Sequence, residues 1–132
     1  MDYKVHALEF FKGDNFALEA TGIIIEEVDK DYAKCRLDIK DKHLNANNFV
    51  MGGAIFTLAD FTMAVAANAG HPETVSMNLN INYLSPAKPP VLYAEAKCIK
   101  SGRSVAVYEI TVSDTDGKNV AIVVGSGFRK QI

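Results

Sequence analysis

Residues 52–70, GGAIFTLADFTMAVAANAG, constrain this chain more than any other stretch. Ala54, Ile55, Leu58, Ala59, Phe61, Met63, Val65 and Ala66 fall on nearly every side of a helical wheel. A helix apolar all round has to be buried, and about 17 residues between glycines is short for a membrane span. Asp60 is the sole ionisable residue in the run. A carboxylate in the middle of a buried helix must be paired, hydrogen-bonded or put to chemical use, because stripping it of water is costly.

The residues before the helix are as informative. Ser, Thr, Asp or Asn normally caps a helix start and satisfies one of its unpaired N–H groups. Phe49, Val50 and Met51 stand there instead. Gly52 and Gly53 weaken the helix but let another group come close to the bare amides. Such amides suit an anion or a polarised carbonyl; the competing reading is two glycines that relieve crowding in a tight turn. Gly52 and Asp60 are eight residues apart, about 12 Å along a helix, too far for both to reach one carbonyl. Two copies packed antiparallel would bring the Gly52 end of one to Asp60 of the other. The sequence therefore points to a composite site across a two-fold dimer.

The chain has 132 residues, 48% hydrophobic and 23% charged, the profile of one globular domain over 1–132 with a single core. A net charge of −2 without a Lys/Arg cluster argues against nucleic acid as a partner. The N-terminal MDYKVHALEFFKGD has no h-region and no transmembrane run occurs. Neither a signal peptide nor a membrane partner is expected, and the cytoplasm is the default compartment. Cys35 and Cys98 sit singly in strand-like segments and read as buried thiols rather than a disulfide or metal pair. His6, His43 and His71 share no metal-ligand spacing, so no metal or cofactor is expected.

Residues 2–12 read as a short amphipathic helix using Val5, Leu8, Phe10 and Phe11, with another turn at 15–20. Residues 23–28 and 32–39 look like strands joined at Asp29, Lys30 and Asp31. In 74–84, Val75, Met77, Leu79, Ile81 and Tyr83 alternate with Ser76, Asn78, Asn80 and Asn82, the period of two of a half-buried strand. Strands at 91–100, 104–113 and 119–130 follow, with hairpin turns at Gly102 and at Asp116-Gly117. About six antiparallel strands and one long buried helix make an α+β chain whose curved sheet must curl round the helix to hide it.

Three segments, in this order and spacing, carry a resemblance: Gly52-Gly53 followed by Leu58-Ala59-Asp60, then Val75-Ser76-Met77-Asn78, then Tyr83-Leu84-Ser85-Pro86-Ala87-Lys88. Together they resemble the hot-dog fold acyl-CoA thioesterases related to the phenylacetate-degradation protein PaaI, over nearly the whole chain. His43, Asn45, Gly52 and Gly53 match that family's pattern H-x-N-x-x-G-x-x-H-G-G; Asn48 stands at its glycine and Met51 at its second histidine. The resemblance implies an acyl-CoA substrate and a homodimer or homotetramer with sites at the dimer interface. In that picture the Gly52 amide holds the thioester carbonyl and Asp60 of the partner subunit is nucleophile or general base. Asn45 positions water or substrate, and Ser76 assists from the neighbouring strand. Substrate contacts would draw on Phe49, Met51, Gly53 and Phe61, together with Phe56 and Met63.

Each residue also has a plainer reading. Asp60 can pair with a polar group across a dimer and do no chemistry. Asn45 is at home in a loop, and Ser76 shares the polar face of its strand with the asparagines. His43, beside Asp41 and Lys42, reads as structural or exposed rather than as a base, and His6 and His71 look peripheral. Lys88, Lys100, Arg103 and Lys130 are candidates for CoA phosphates and equally for solvated charges. Glycine amides and one carboxylate supply what thioester hydrolysis needs: a polarised carbonyl and an activated water or carboxylate nucleophile. Met51 can neither donate a strong hydrogen bond nor change charge. That substitution sustains a second reading, a non-catalytic or weakly active acyl-CoA binding module. A hot-dog dehydratase would carry Glu on the helix or a histidine close to the site, and this helix has neither.

Overall fold

Alternating β-branched and aromatic residues set the strands, and tight turns make most neighbours antiparallel hairpins. The structure, a computed structural model, describes residues 1–130. Its strands are β1 (Ile23–Asp29), β2 (Tyr32–Asp38), β3 (Thr74–Tyr83), β4 (Val91–Ser101), β5 (Val105–Asp114) and β6 (Asn119–Arg129). They form one sheet in the order β1-β2-β4-β5-β6-β3, with every pairing antiparallel. The central helix, α2 (Gly52–Asn68), touches all six strands. This is the α+β hot-dog arrangement expected from the sequence.

Small inward residues let the helix sink into the sheet. Ala33, Ala94, Ala96, Ala106 and Ala121 are fully buried beneath it. A Cβ on Gly125 would run into the Met63 thioether, so glycine there is required by the close approach of α2. Leu58, Met63, Val65 and Ala66 are at most 1% exposed. Burying a large apolar side chain contributes about 1.5–3 kcal/mol, which outweighs the at most ~1 kcal/mol that each glycine at the helix start costs.

Three expectations change. The first helix, α1 (Tyr3–Phe10), forms and is capped by Asp2, whose carboxylate accepts from Val5 N–H at 3.1 Å. Its inward stripe is Ala7 and, one turn on, Phe11, which meets Phe61 edge to face at 5.4 Å. Val5, Leu8 and Phe10 point outward, at 61%, 50% and 48% exposure. A rare π-helical segment, Phe16–Thr21, follows and anchors itself through Ala17 and Thr21.

The second change is in β3. A bulge between Ser76 and Asn78 shifts its register against β6. Ser76 lies opposite Gly127, Leu79 opposite Gly125, Ile81 opposite Val123 and Tyr83 opposite Ala121. These are inward positions of β6, and directly opposed residues share a face. One extra residue, Met77, thus turns Ser76 to the helix side and parts it from Asn78, Asn80 and Asn82. Val75 and Met77, placed on the inner face by alternation, are 44% and 52% exposed.

The third concerns histidine. His43 is buried, and His71 is no bystander: its Nε2 lies 2.6 Å from Asp31 Oδ1. The two cysteines are free, Cys35 buried and Cys98 half-buried. Burial pushes the Cys35 thiol up to about 12, so it stays protonated. Among the described residues no helix is long and apolar enough to cross a membrane.

Candidate active site

A short loop delivers the chain to the start of α2. Leu44 and Val50 bridge antiparallel, and between them the Asn45 side-chain oxygen accepts from the N–H groups of Asn47 at 2.9 Å and Phe49 at 3.1 Å. Asn45 is therefore the brace of this loop, with only its amide NH₂ left to face outward. Asn48 sits at φ 64°. Asparagine tolerates that left-handed region better than other side chains, which explains how it stands where the family pattern has glycine.

Met51 is the N-cap of α2 and its side chain caps nothing. Its carbonyl accepts from Ala54 N–H at 2.9 Å and Ile55 N–H at 3.3 Å, while its own N–H donates to the His43 carbonyl at 2.8 Å. The amides of Gly52 and Gly53 have no acceptor among the described residues. Their orientation is nonetheless fixed, because a peptide N–H lies in one rigid plane with the preceding carbonyl. The Gly52 N–H shares its plane with the Met51 carbonyl just described. The Gly53 N–H shares its plane with the Gly52 carbonyl, which accepts from Tyr83 Oη at 2.9 Å. Thr57 Oγ1 in turn donates to the Gly53 carbonyl at 2.8 Å. Sequence reasoning missed Tyr83 and Thr57 in these roles; Tyr83 is 31 residues away along the chain. A Cβ on Gly52 would lie 3.0 Å from Tyr83 Oη, so glycine is what lets the phenol in.

Two open clefts flank these amides. One, of about 400 Å³, runs past Phe49, Gly52, Ile55, Tyr83 and Pro86. The other, of about 430 Å³, runs past Phe16, His43, Met51, Gly53 and Thr57. The Met51 methyl carbon reaches to 3.8 Å from where a Gly53 Cβ would stand. Phe49, Met51 and Gly53 are thus at the clefts. Phe61 is not: it is 3% exposed and packs in the core, as does Met63. The helical wheel could not separate these residues, because every face of α2 is apolar.

Asp60 lies on the same helix face as Gly53 and Thr57. It is half-buried and makes no hydrogen bond or ion pair among the described residues. Burial, and then the nearby Asp14 carboxylate, hold its carboxyl above the usual carboxylate range. Ser76 is exposed on the edge strand and makes no hydrogen bond to Asp60 or to the glycines. Within one chain, then, the amides and the clefts come together, while Asp60 stands about two turns further along the helix. Lys100, Arg103 and Lys130 lie at the far end of the sheet, where Lys130 pairs with Glu73 at 3.3 Å; Lys88 adjoins the Gly52 cleft in sequence. Among the described residues no three His, Cys, Asp or Glu side chains cluster as metal ligands.

Comparison with known proteins fits this geometry. The Thioesterase superfamily profile matches residues 47–121, more than half of the chain. A putative esterase of Archaeoglobus fulgidus is 35% identical over 106 residues, covering 80% of this chain and 69% of that one. The acyl-coenzyme A thioesterase PaaI of Escherichia coli is 30% identical over 112 residues, covering 84% and 80%. The solved E. coli PaaI structure superposes with a TM-score of 0.90 at 25% identity, over 98% of this chain and 94% of that one. The smu.793 protein of Streptococcus mutans, solved bound to acetyl CoA, superposes at 0.77 with 27% identity, over 82% and 91%. With fold, glycine-led helix and family profile in agreement, this chain belongs to the thioesterase superfamily as a PaaI-like hot-dog thioester hydrolase.

Proposed function

We propose that the chain hydrolyses acyl-CoA thioesters at sites shared by two copies. The N–H groups of Gly52 and Gly53 in one copy polarise the thioester carbonyl, and Asp60 of the other acts on it from across the interface. As general base, Asp60 takes a proton from water while the water oxygen bonds to the carbonyl carbon. The C–S bond then breaks, and the proton passes to the CoA sulfur as free acid departs. As nucleophile, the carboxylate bonds to the carbonyl carbon and expels CoA thiolate as the C–S bond breaks; water then cleaves the resulting anhydride, releasing free acid and restoring the carboxylate, and its proton leaves with CoA thiol. Either route develops an oxyanion at the glycine amides, where fixed donors act most strongly. The acyl-CoA thioesterases among the relatives, and the acetyl CoA in the S. mutans protein, support acyl-CoA as the substrate.

One observation carries this reading: both glycine amides are oriented and unpaired, while Asp60 is half-buried without a donor and too far along the helix to share their carbonyl. Among the described residues the edge strand β3 pairs with β6 alone, and its free side suits a second copy. Light scattering that finds only a 14.4 kDa species would remove the shared site.

Complementation tests it directly. Asp60→Asn removes the carboxylate charge. Gly52→Pro removes one amide at the first position of the helix, where Met51 before it is already extended at ψ 137°, and its added carbon also crowds the Tyr83 phenol, so the amide half of the site is disabled in that copy. Each variant alone should be nearly inactive. Co-refolded at equal amounts, they should recover about a quarter of wild-type CoA release, since half the dimers are mixed and each holds one intact site. No recovery places the whole site in one chain. The rival reading, a binding module, draws on Met51, which gives the carbonyl no donor; acyl-CoA binding with no CoA release in the wild type would favour it.

A further inference from the structure

The buried His43 makes three contacts that together tie the site into one piece. Its Nδ1 lies 2.9 Å from Lys40 N–H, and its Nε2 lies 2.7 Å from the Thr21 carbonyl. An amide N–H can only donate and a carbonyl can only accept, so the ring is neutral with its proton on Nε2. Its backbone carbonyl takes the Met51 N–H at 2.8 Å, one residue before the glycine amides. One residue thus joins the end of the π-helical segment Phe16–Thr21 to the loop that feeds α2.

Those two elements both wall the Gly53 cleft. Phe16 stands on the π-helical wall at 68% exposure, and Met51 stands on the loop wall at 57%. Between them Thr57 Oγ1 is committed to the Gly53 carbonyl and both His43 nitrogens as above, while Thr21, Lys42 and the bare Gly53 N–H also line the cleft. Away from Lys42 and the Gly53 N–H, the Phe16, Ala20, Met51 and Ala54 side chains offer an acyl group shape and apolar surface. Selectivity there depends on how far apart the two walls stand.

We infer that His43 is a positioning residue, the strut that sets the separation of the Phe16 wall from the glycine loop and so decides which apolar acyl groups enter the Gly53 cleft. The inference rests on the thioesterase reading above and adds a selectivity device to it. The two ring nitrogens can be tested separately, because Asn places its oxygen near the position of Nδ1 and Gln places its amide near that of Nε2. His43→Asn keeps an acceptor for Lys40 N–H and cuts the tie to Thr21. His43→Gln keeps the tie to Thr21 and leaves the Lys40 N–H unpaired.

Calorimetric titration with a short and a long S-alkyl-CoA thioether, which cannot be hydrolysed, reads the effect alongside CoA release from the matching thioesters. His43→Asn should weaken the long thioether about tenfold more than the short one, the scale of one lost hydrogen bond at the wall. Phe16→Ala, on an exposed side chain that leaves the strut intact, should reproduce that loss of long-chain preference. His43→Gln should instead weaken both thioethers alike and lower kcat more than it raises KM. If the variants change only the melting temperature and keep the wild-type long-to-short ratio, the strut is wrong and the thioesterase reading stands. If the ratio shifts as stated but the wild type releases no CoA, the strut stands and the thioesterase reading falls.

Discussion

The two ends of α2 are built in opposite ways. At the C-terminal end side chains reach back to hold the backbone. The Asn68 amide donates to the carbonyls of Ala64 at 2.9 Å and Thr74 at 3.2 Å, and its oxygen accepts from Thr74 N–H at 2.8 Å. Beyond it, Asp31 Oδ1 receives His71 at 2.6 Å, Tyr108 at 2.7 Å and Arg129 at 3.4 Å. Arg129 also donates to Ser101 Oγ and the Gly102 carbonyl. At the N-terminal end the carbonyls are held and the amides are left bare. On the proposed mechanism, stability and function are separated along one helix. A buried, densely hydrogen-bonded network anchors one end, and unpaired donors are tolerated at the other because they open onto clefts rather than into the core.

The largest effect that would sharpen this contrast is on the rate. Asp60→Asn should lower kcat by about 10²–10⁴, the usual scale for a lost general base. It should leave folding intact at neutral pH, because the carboxylate it removes is half-buried and unpaired. Near-normal CoA release from a folded variant would make Asp60 structural.

Arg129→Met probes the other end. Removing one member of a buried ionic network costs about 3 kcal/mol, read as a lower urea midpoint at unchanged m. Turnover per folded molecule should hold. A loss of kcat without a loss of stability would break the separation between the ends.

Met51→His adds the donor that the N-terminal end lacks, at a side chain already folded over Gly53. For at least one acyl-CoA the gain should be about tenfold in kcat, the scale of one neutral hydrogen bond to the oxyanion. It should vanish when combined with Asp60→Asn. A folded single variant that is slower than wild type would mark Met51 as an adapted pocket residue.

The smallest effect concerns pH. Burial and Asp14 raise the Asp60 carboxyl above its ordinary range, and a base works only when deprotonated. The acid limb of the kcat profile should therefore lie above the normal carboxylate range, and Asp14→Asn should move it down. Stability runs the other way. A carboxyl whose folded value is raised contributes stability that is fully present below its unfolded pKa and lost as pH rises through its folded one. Asp60→Asn should flatten that loss in urea midpoints taken across the same range, and an unchanged slope would mean that the carboxyl feels no burial.

Much of this was legible in the chain. The unbroken apolar wheel of residues 52–68 required a buried helix, and period-two runs required strands, because both patterns reflect contacts a few residues apart. Gly52, Gly53 and Asp60 stood out for the same reason: each contradicts its surroundings locally. The family pattern then supplied roles that spacing alone left open.

Residues that meet across the chain were not legible in that way. Alternation placed Ser76 with the asparagines, and a single bulge at Met77 turned it to the other face. Phe61 and Met63 were indistinguishable from pocket residues until the Phe11 ring and the glycines of β6 closed over them. His43 looked like one more polar residue of an exposed turn, yet it bridges to a carbonyl 22 residues away. The sequence by itself determined which segments are helix and strand and which groups are chemically out of place. Tertiary structure alone decided strand order, the face each β3 residue presents and which distant side chains orient the glycine amides. Those depend on how the sheet closes round the helix, and closure is set by the joint fit of all the elements rather than by the pattern of any one of them.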